Sequence, residues 1–303
     1  MRYHRNVNTR IEIQAGDEHY KVRLDDFLFD RFNCLSKMYL RDIVKNELCE
    51  VNGRSENIGY KLKPNDLIEI FIDETRETAM RPENVPVDIR YEDDDIIVVN
   101  KPAGMLVHPT HRDKNGTLLN ALSYYLNSEI GVTGAKHIRA GLVHRLDKQT
   151  SGLMVVAKTS RAHRILAEHF KRKIIDKRYM AMVDGIMTDD HGCISAPIGR
   201  FADLKLWNIK ADGKAAETRF WVKARTATRT LVELEPVTGR TNQLRIHCSS
   251  IGHPIIGDTE RGGSESDRLL LHAWRLSFRH PSGGRQLDFE CPVGFAASDQ
   301  FAA

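Results

Sequence analysis

The sequence predicts an α+β protein: a mixed, largely antiparallel sheet flanked by helices, preceded by a small α+β module. Three observations carry this expectation. The chain has 303 residues, about twice the size of one ordinary domain. Segments of strand character outnumber amphipathic helical segments and often follow one another directly, which disfavours alternating βαβ units. A polar, aperiodic stretch with Pro82 and Pro86, ETRETAMRPENVP, separates a short first part from a long second one. The expected organisation is an extension over 1–20, a module over 21–76, a linker over 77–86 and a main domain over 87–303.

Within the module, Val22, Leu24, Phe27, Leu28 and Phe32 fall close to helical spacing. Ser36 reads as the N-cap of KMYLRDIVKNEL, whose Met38, Ile43, Val44 and Leu48 share an apolar face. CEVNGRSE gives a short strand with an Asn-Gly turn, and Leu67, Ile68, Ile70 and Ile72 form the strand of LKPNDLIEIFID. In the main domain, VDIRYEDDDIIVVNKPAG reads as two strands about an acidic turn, and residues 117–127 as an amphipathic helix. GLVHRLD and GLMVVAKT are expected as strands around the loop KQTS, and Ser160 as the cap of a basic helix, RAHRILAEHFKRK. Tyr179, Ala181 and Val183 alternate in a strand. TRFWVKA, TRTLVELEPV and LLLHAWRLSF add three more, with a helix near 240–250.

Composition excludes several function classes. No apolar run approaches the roughly 20 residues of a bilayer span, so no membrane partner is expected. The start, MRYHRNVNTR, does not read as a secretory signal. The five cysteines (Cys34, Cys49, Cys193, Cys248 and Cys291) are scattered and never in CxxC spacing. They suit a reducing cytosol better than a disulfide scaffold or a zinc site, and a cytoplasmic location follows as an expectation. Without GxGxxG, GxxxxGK[ST] or GxSxG, nucleotide cofactors and serine hydrolysis lose their best support. His108-Pro-Thr-His111 has no carboxylate or cysteine pattern to complete it, so no metal is expected. The net charge is +4. Lys158 to Arg178 holds eight basic residues against Glu168 and Asp176, a local field that suits a polyanion as well as a solvated helix face.

Three stretches stand out. In GLVHRLDKQTSG, Arg145 and Asp147 end an otherwise apolar run. A charge buried there unpaired costs several kcal/mol, so each is either in an ion pair or at work. In EPVTGRTNQLRIHCSSIGHPIIGD, a helix after Gly239 carries Arg240, Gln243, Arg245 and His247. In KRYMAMVDG, Tyr179 alternates with small and apolar residues and reads as a core tyrosine.

Together and in this order, these stretches resemble the RluA-type RNA pseudouridine synthases. HRLDKQTSG matches that family's HRLDxxTSG, KPAG at 101–104 an earlier motif, KRYMAMVDG the pattern KxYxAxVxG, and TGRTNQLRIHCSSIGHPIIGD the pattern TGRxHQLRxHxxxxGHPIxGD. The similarity spans residues 86 to about 292. Residues 22–73 resemble the small S-four-like RNA-binding domain. The resemblance implies an isomerase that converts uridine to pseudouridine in structured RNA without cofactor or metal, with large-subunit ribosomal RNA as the favoured target. A transfer-RNA enzyme and a catalytically degenerate RNA-binding protein are the alternatives, and a monomer is favoured. It further implies Asp147 as the catalytic carboxylate, attacking the anomeric carbon or removing a proton from the neighbouring ribose carbon. Tyr179 would stack on the flipped uracil, Arg245 would pair with Asp147, and Arg145 would fill the space the base left. Arg240, Gln243, Arg161, Arg164, Lys171, Arg172, Lys37 and Arg41 would contact RNA. Two departures bear on RNA-facing geometry: Asn242 stands where the family has His, and TERGG at 259–263 replaces the usual Tyr-Gly after GHPIIGD.

Overall fold

The computed structural model describes residues 8–32, 35, 37–73, 82–110, 112–127, 140–201 and 206–296. It divides into two units: Met1–Val85 with His108–Arg139, and Pro86–Val107 with Ala140–Ala303.

In the first unit, β1 (Asn8–Gln14), β2 (Cys49–Val51), β3 (Arg54–Ser55) and β4 (Leu67–Asp73) form an antiparallel sheet in the order β1-β4-β2-β3. Helices α1 (Leu24–Arg31) and α2 (Lys37–Lys45) lie between β1 and β2 in the chain. Asn52 and Gly53 take φ of +52° and +70°, the two left-handed residues of a type I′ hairpin. The segment expected as an N-terminal extension contributes β1, because Ile11 and Ile13 alternate with charge and pack on the unit's core. On α2 the buried residues are Tyr39, Leu40, Ile43 and Val44, whereas Met38 is 74% exposed. Met38 sits about half a turn of helix away from that stripe, so the expected face was misassigned. The Ser36 cap lies outside the described residues.

Helix α3 (Leu118–Asn127) also belongs to the first unit, not to the expected main domain. The chain near it is tied back: Gly116 N donates to Glu83 Oε2 at 2.7 Å and Glu83 N to the Asn120 carbonyl at 3.1 Å. No helix among the described residues is long and apolar enough to cross a membrane.

The second unit is built on a ten-stranded sheet. Its strands are β5 (Asp88–Glu92), β6 (Ile96–Lys101), β7 (Gly141–Leu142), β8 (Ser151–Ala157), β9 (Asp176–Asp184), β10 (His191–Ser195), β13 (Glu217–Arg225), β14 (Arg229–Pro236), β15 (Leu271–Arg279) and β16 (Gln286–Glu290). The path runs β10-β13-β14-β9-β15-β8-β6-β5, with β16 on β15 and β7 on β8. Only β8–β15 is parallel among these described pairs. A separate hairpin pairs β11 (Ile198–Phe201) with β12 (Leu206–Ile209). Every residue of β8, SGLMVVA, is buried, as both faces of a central strand require.

The run GLVHRLD departs from its expected form, since only Gly141–Leu142 is strand. The His144 side chain takes over: its Nε2 accepts from Val155 N at 3.1 Å and its ring stacks on Phe170 at 4.5 Å. Burial holds this imidazole neutral, with a pKa pushed down to about 3. Residues 143–150 thus leave the ladder and deliver Asp147 on irregular backbone. After β8, α4 (Ser160–Lys171) is capped by Thr159 rather than Ser160. The Thr159 hydroxyl accepts from Ala162 N at 3.1 Å. Thr159→Ala is expected to cost about 1 kcal/mol; a thermal or urea unfolding curve unchanged from wild type would refute that cap. Helix α5 (Gln243–Ser250) follows Asn242, whose φ of +54° is left-handed, a conformation that asparagine adopts more readily than most residues.

Candidate active site

Asp147 is positioned from two sides. At the start of β8, Gly152 has φ +122°, and a Cβ there would lie 2.4 Å from the Ala273 carbonyl oxygen. Glycine alone lets β8 and β15 approach, which fixes where the preceding turn sits. On the other side, Lys101 is fully buried at the end of β6. Its Nζ donates to the carbonyls of Pro102 (2.8 Å), Met105 (2.9 Å) and Lys148 (3.3 Å). Gly104 N donates to the same Lys148 carbonyl at 2.8 Å, and Thr150 N closes a turn on the Asp147 carbonyl at 3.1 Å. Burial lowers the Lys101 pKa to about 8. The KPAG loop is therefore a clamp on the residue that follows Asp147.

The Asp147 side chain lines a cleft that is open to solvent. Arg145, Thr150, Lys177, Tyr179, Arg240 and Arg245 line it too, and Asp147 is the sole carboxylate among its described lining residues. Asp147 is half-buried, and among the described residues its carboxylate takes part in no hydrogen bond or ion pair. Burial raises its pKa above the usual carboxylate value, against the pull of Arg245, then Arg145, Arg261 and Lys101. Tyr179, on β9, is held as the neutral phenol by burial and by the charge of Asp147.

The expected pairing of Arg245 with Asp147 is corrected. Arg245 forks onto Asp258, Nε to Oδ2 at 2.7 Å and Nη2 to Oδ1 at 2.6 Å, and acts on Asp147 only through its field. The shorter reach wins because Asp258 is completely buried and offers both oxygens to the planar guanidinium. Gln243 lines the cleft, but its amide is engaged within the chain. It is buried, donates to the Glu217 carbonyl (2.8 Å) and Thr218 Oγ1 (3.0 Å), and accepts from Thr238 Oγ1 (2.6 Å) and Arg240 N (3.0 Å). Its amide holds the turn ahead of α5.

Arg145 is exposed at the cleft with no ion pair among the described residues. Arg240 reaches the Ala215 carbonyl at 3.1 Å and still lines the cleft. Arg161, Arg164, Lys171 and Arg172 are exposed on and just beyond α4 and do not line it. Lys171 and Arg172 share Glu168, at 3.7 and 2.8 Å. In the first unit, Lys37 pairs with Asp26 and Arg41 with Asp25, each at 2.7 Å. Arg23 shares Asp25 with Arg41 at 2.9 Å and lies 3.9 Å from Asp26, so three cations meet two carboxylates there. His111, half of the HxxH pair, lies outside the described residues.

Four residues of the site escaped the sequence-based selection: Lys101, Lys177, Asp258 and Arg261. The first three were visible as the fixed Lys and Asp of KPAG, KxYxAxVxG and GHPIxGD. Arg261 had no such signal.

Known proteins were compared with the chain. The family model described as RNA pseudouridylate synthase matches residues 95–250. The RNA pseudouridine synthase YlyB of Bacillus subtilis is 38% identical over 288 residues, 94% of each chain. Ribosomal large subunit pseudouridine synthase D of Haemophilus influenzae is 37% identical over 301 residues, covering 93% of this chain and 91% of that protein. Among solved structures, human RNA pseudouridylate synthase domain containing 1 superposes with a TM-score of 0.59 at 26% identity. That match covers 74% of this chain and 88% of the human one. With these relatives spanning nearly its whole length, the chain belongs to the RluA-type RNA pseudouridine synthases and is an isomerase acting on RNA.

Proposed function

We propose that Asp147 is the catalytic carboxylate and that it acts on a uridine flipped out of large-subunit ribosomal RNA into the cleft. One observation carries this reading: among the described residues, a lone carboxylate with no hydrogen bond or ion pair lines a cleft whose other charged groups are Arg145, Lys177, Arg240 and Arg245. A polyanionic strand is drawn to that field, while the carboxylate stays available at the ribose. The reaction breaks the bond between uracil N1 and the anomeric carbon, turns the base, joins carbon 5 to the same anomeric carbon and gives the carbon 5 proton to water, while N1 takes up a proton from water. It is redox-neutral and proceeds with the side chains of the cleft alone. Flipping costs a few kcal/mol. Stacking on Tyr179 returns roughly 1–3 kcal/mol, and exposed Arg145 fills the gap in the helix. The ribosomal target follows the name of the Haemophilus relative. The first unit supplies further RNA contact as an S-four-like domain, and the enzyme works as a cytoplasmic monomer.

The test uses total RNA labelled with tritium at uracil carbon 5, from cells lacking the protein. Wild type is expected to release tritium and to form pseudouridine at positions in the large-subunit RNA. Tight binding without release would make the protein a binder, and release from transfer RNA alone would overturn the ribosomal target. Tyr179→Ala is expected to lower kcat/KM roughly 10–100-fold through lost stacking. An unchanged value would remove Tyr179 from the site.

A further inference from the structure

We infer that Lys177 is a phosphate-binding residue of the cleft, its ammonium taking a phosphodiester oxygen of the RNA strand beside the flipped uridine. This rests on the reading that a uridine enters the cleft. Lys177 and Tyr179 stand two residues apart on β9 and line the same cleft, as the two-residue period of a strand requires. Two residues of strand span about 7 Å, so a base stacked on Tyr179 brings its own backbone within reach of the lysine stem. Arg178, between them on the opposite face, holds Asp176 and Glu235, each at 3.0 Å, and lies over the Trp221 ring. Both of those carboxylates are thus engaged by Arg178.

Lys177 is half-buried and, among the described residues, has neither a hydrogen bond nor an ion pair. Its Nζ lies 5.6 Å from the centroid of the Phe170 ring, which stacks in turn on the neutral ring of His144. A ring face returns less to an ammonium than the water it has lost. Burial lowers the Lys177 pKa, and no carboxylate, Asp147 included, raises it again. The other cations of the cleft are placed differently. Arg245 is forked on Asp258, Arg240 donates to the Ala215 carbonyl, and Arg145 is exposed. A partly desolvated point charge without a counterion is a site for an anion, and phosphodiester oxygens are the anions an RNA strand carries. The cations that act most on Asp147 are Arg245, Arg145, Arg261 and Lys101. Lys177, outside that set, is placed to serve the strand and not the reacting carbon.

Lys177→Met keeps an unbranched stem beside Phe170 and removes the charge. The test measures binding at rising salt to the RNA fraction from which wild type releases tritium, expected to be the large-subunit RNA. The variant is expected to bind about tenfold more weakly than wild type at about 50 mM salt and about threefold more weakly at about 200 mM, because one fewer counterion is released. Its plot of log affinity against log salt is expected to be shallower by roughly 0.7–0.9, and the loss in kcat/KM for tritium release to be carried by KM. The unpaired charge is a standing cost to the free protein, so Lys177→Met is expected to melt no lower than wild type. A salt slope equal to that of wild type would overturn the inference. So would a fall in kcat at unchanged affinity, which would put the ammonium on the base, or a lower Tm at unchanged affinity, which would make it a cation of the fold. Each is distinct from failure of the underlying reading, in which Asp147→Asn would remain active.

Discussion

Asp147→Asn will lose pseudouridine formation by roughly 10⁴-fold or more while binding RNA as tightly as wild type and melting no lower. The loss of activity follows from removing the only carboxylate among the described residues that line the cleft. Stability moves the other way because burial disfavours the charged form, so the folded-state pKa of Asp147 lies above its unfolded value. Between those two values the folded state holds more protons than the unfolded state, and stability falls as pH rises through that window. Above it, the ionised group is a standing cost that the neutral amide lacks. The sign for activity is opposite: the reactive carboxylate is lost as pH falls through the same raised pKa, so the acid limb lies above the range of an ordinary aspartate. Measurements of tritium release, RNA affinity and Tm on one preparation check all three. A lower Tm for Asp147→Asn would show that the arginine field outweighs burial.

Gly152→Ala is expected to damage the second unit severely. Its φ of +122° is closed to alanine, and the new carbon would sit 2.4 Å from the Ala273 oxygen and 2.5 Å from its nitrogen. Those contacts are with backbone of the neighbouring strand, so relief requires β8 and β15 to separate at their parallel junction. A cost of about 3–5 kcal/mol corresponds to a fall in Tm of roughly 10 °C or more. Gly104→Ala is the control. Its φ is also positive, at +84°, but nothing lies within 4 Å of the added carbon, and about 1 kcal/mol of backbone strain is expected. Equal melting losses in the two variants would show that close approach at Gly152 is not the constraint.

Period and turn chemistry made much of the fold legible. The alternation through β4 and β9, the apolar run 153–157 of β8 and the Asn52-Gly53 hairpin are local properties of the chain. What escaped depends on contacts distant in sequence. β1 needs β4 beside it, β7 stops early because His144 replaces a ladder partner, and α3 joins the first unit through Glu83. At the site, the motifs named Asp147, Tyr179 and Arg145, all of which line one cleft. They could not show that Arg245 has a better partner in Asp258, because a buried carboxylate 13 residues away outcompetes an open one only in three dimensions. The internal role of Gln243 was hidden for the same reason. An amide on a helix facing a cleft reads as a ligand contact until its four internal hydrogen bonds are seen.

The central claim is that the carboxylate at 147 performs the rearrangement. Single-turnover release of carbon 5 tritium, with wild type and Asp147→Ala each in excess and at equal RNA occupancy, tests it most directly. One tritium is expected to be lost per pseudouridine formed by wild type, with background release by the variant. Release by Asp147→Ala at a rate near wild type would contradict it.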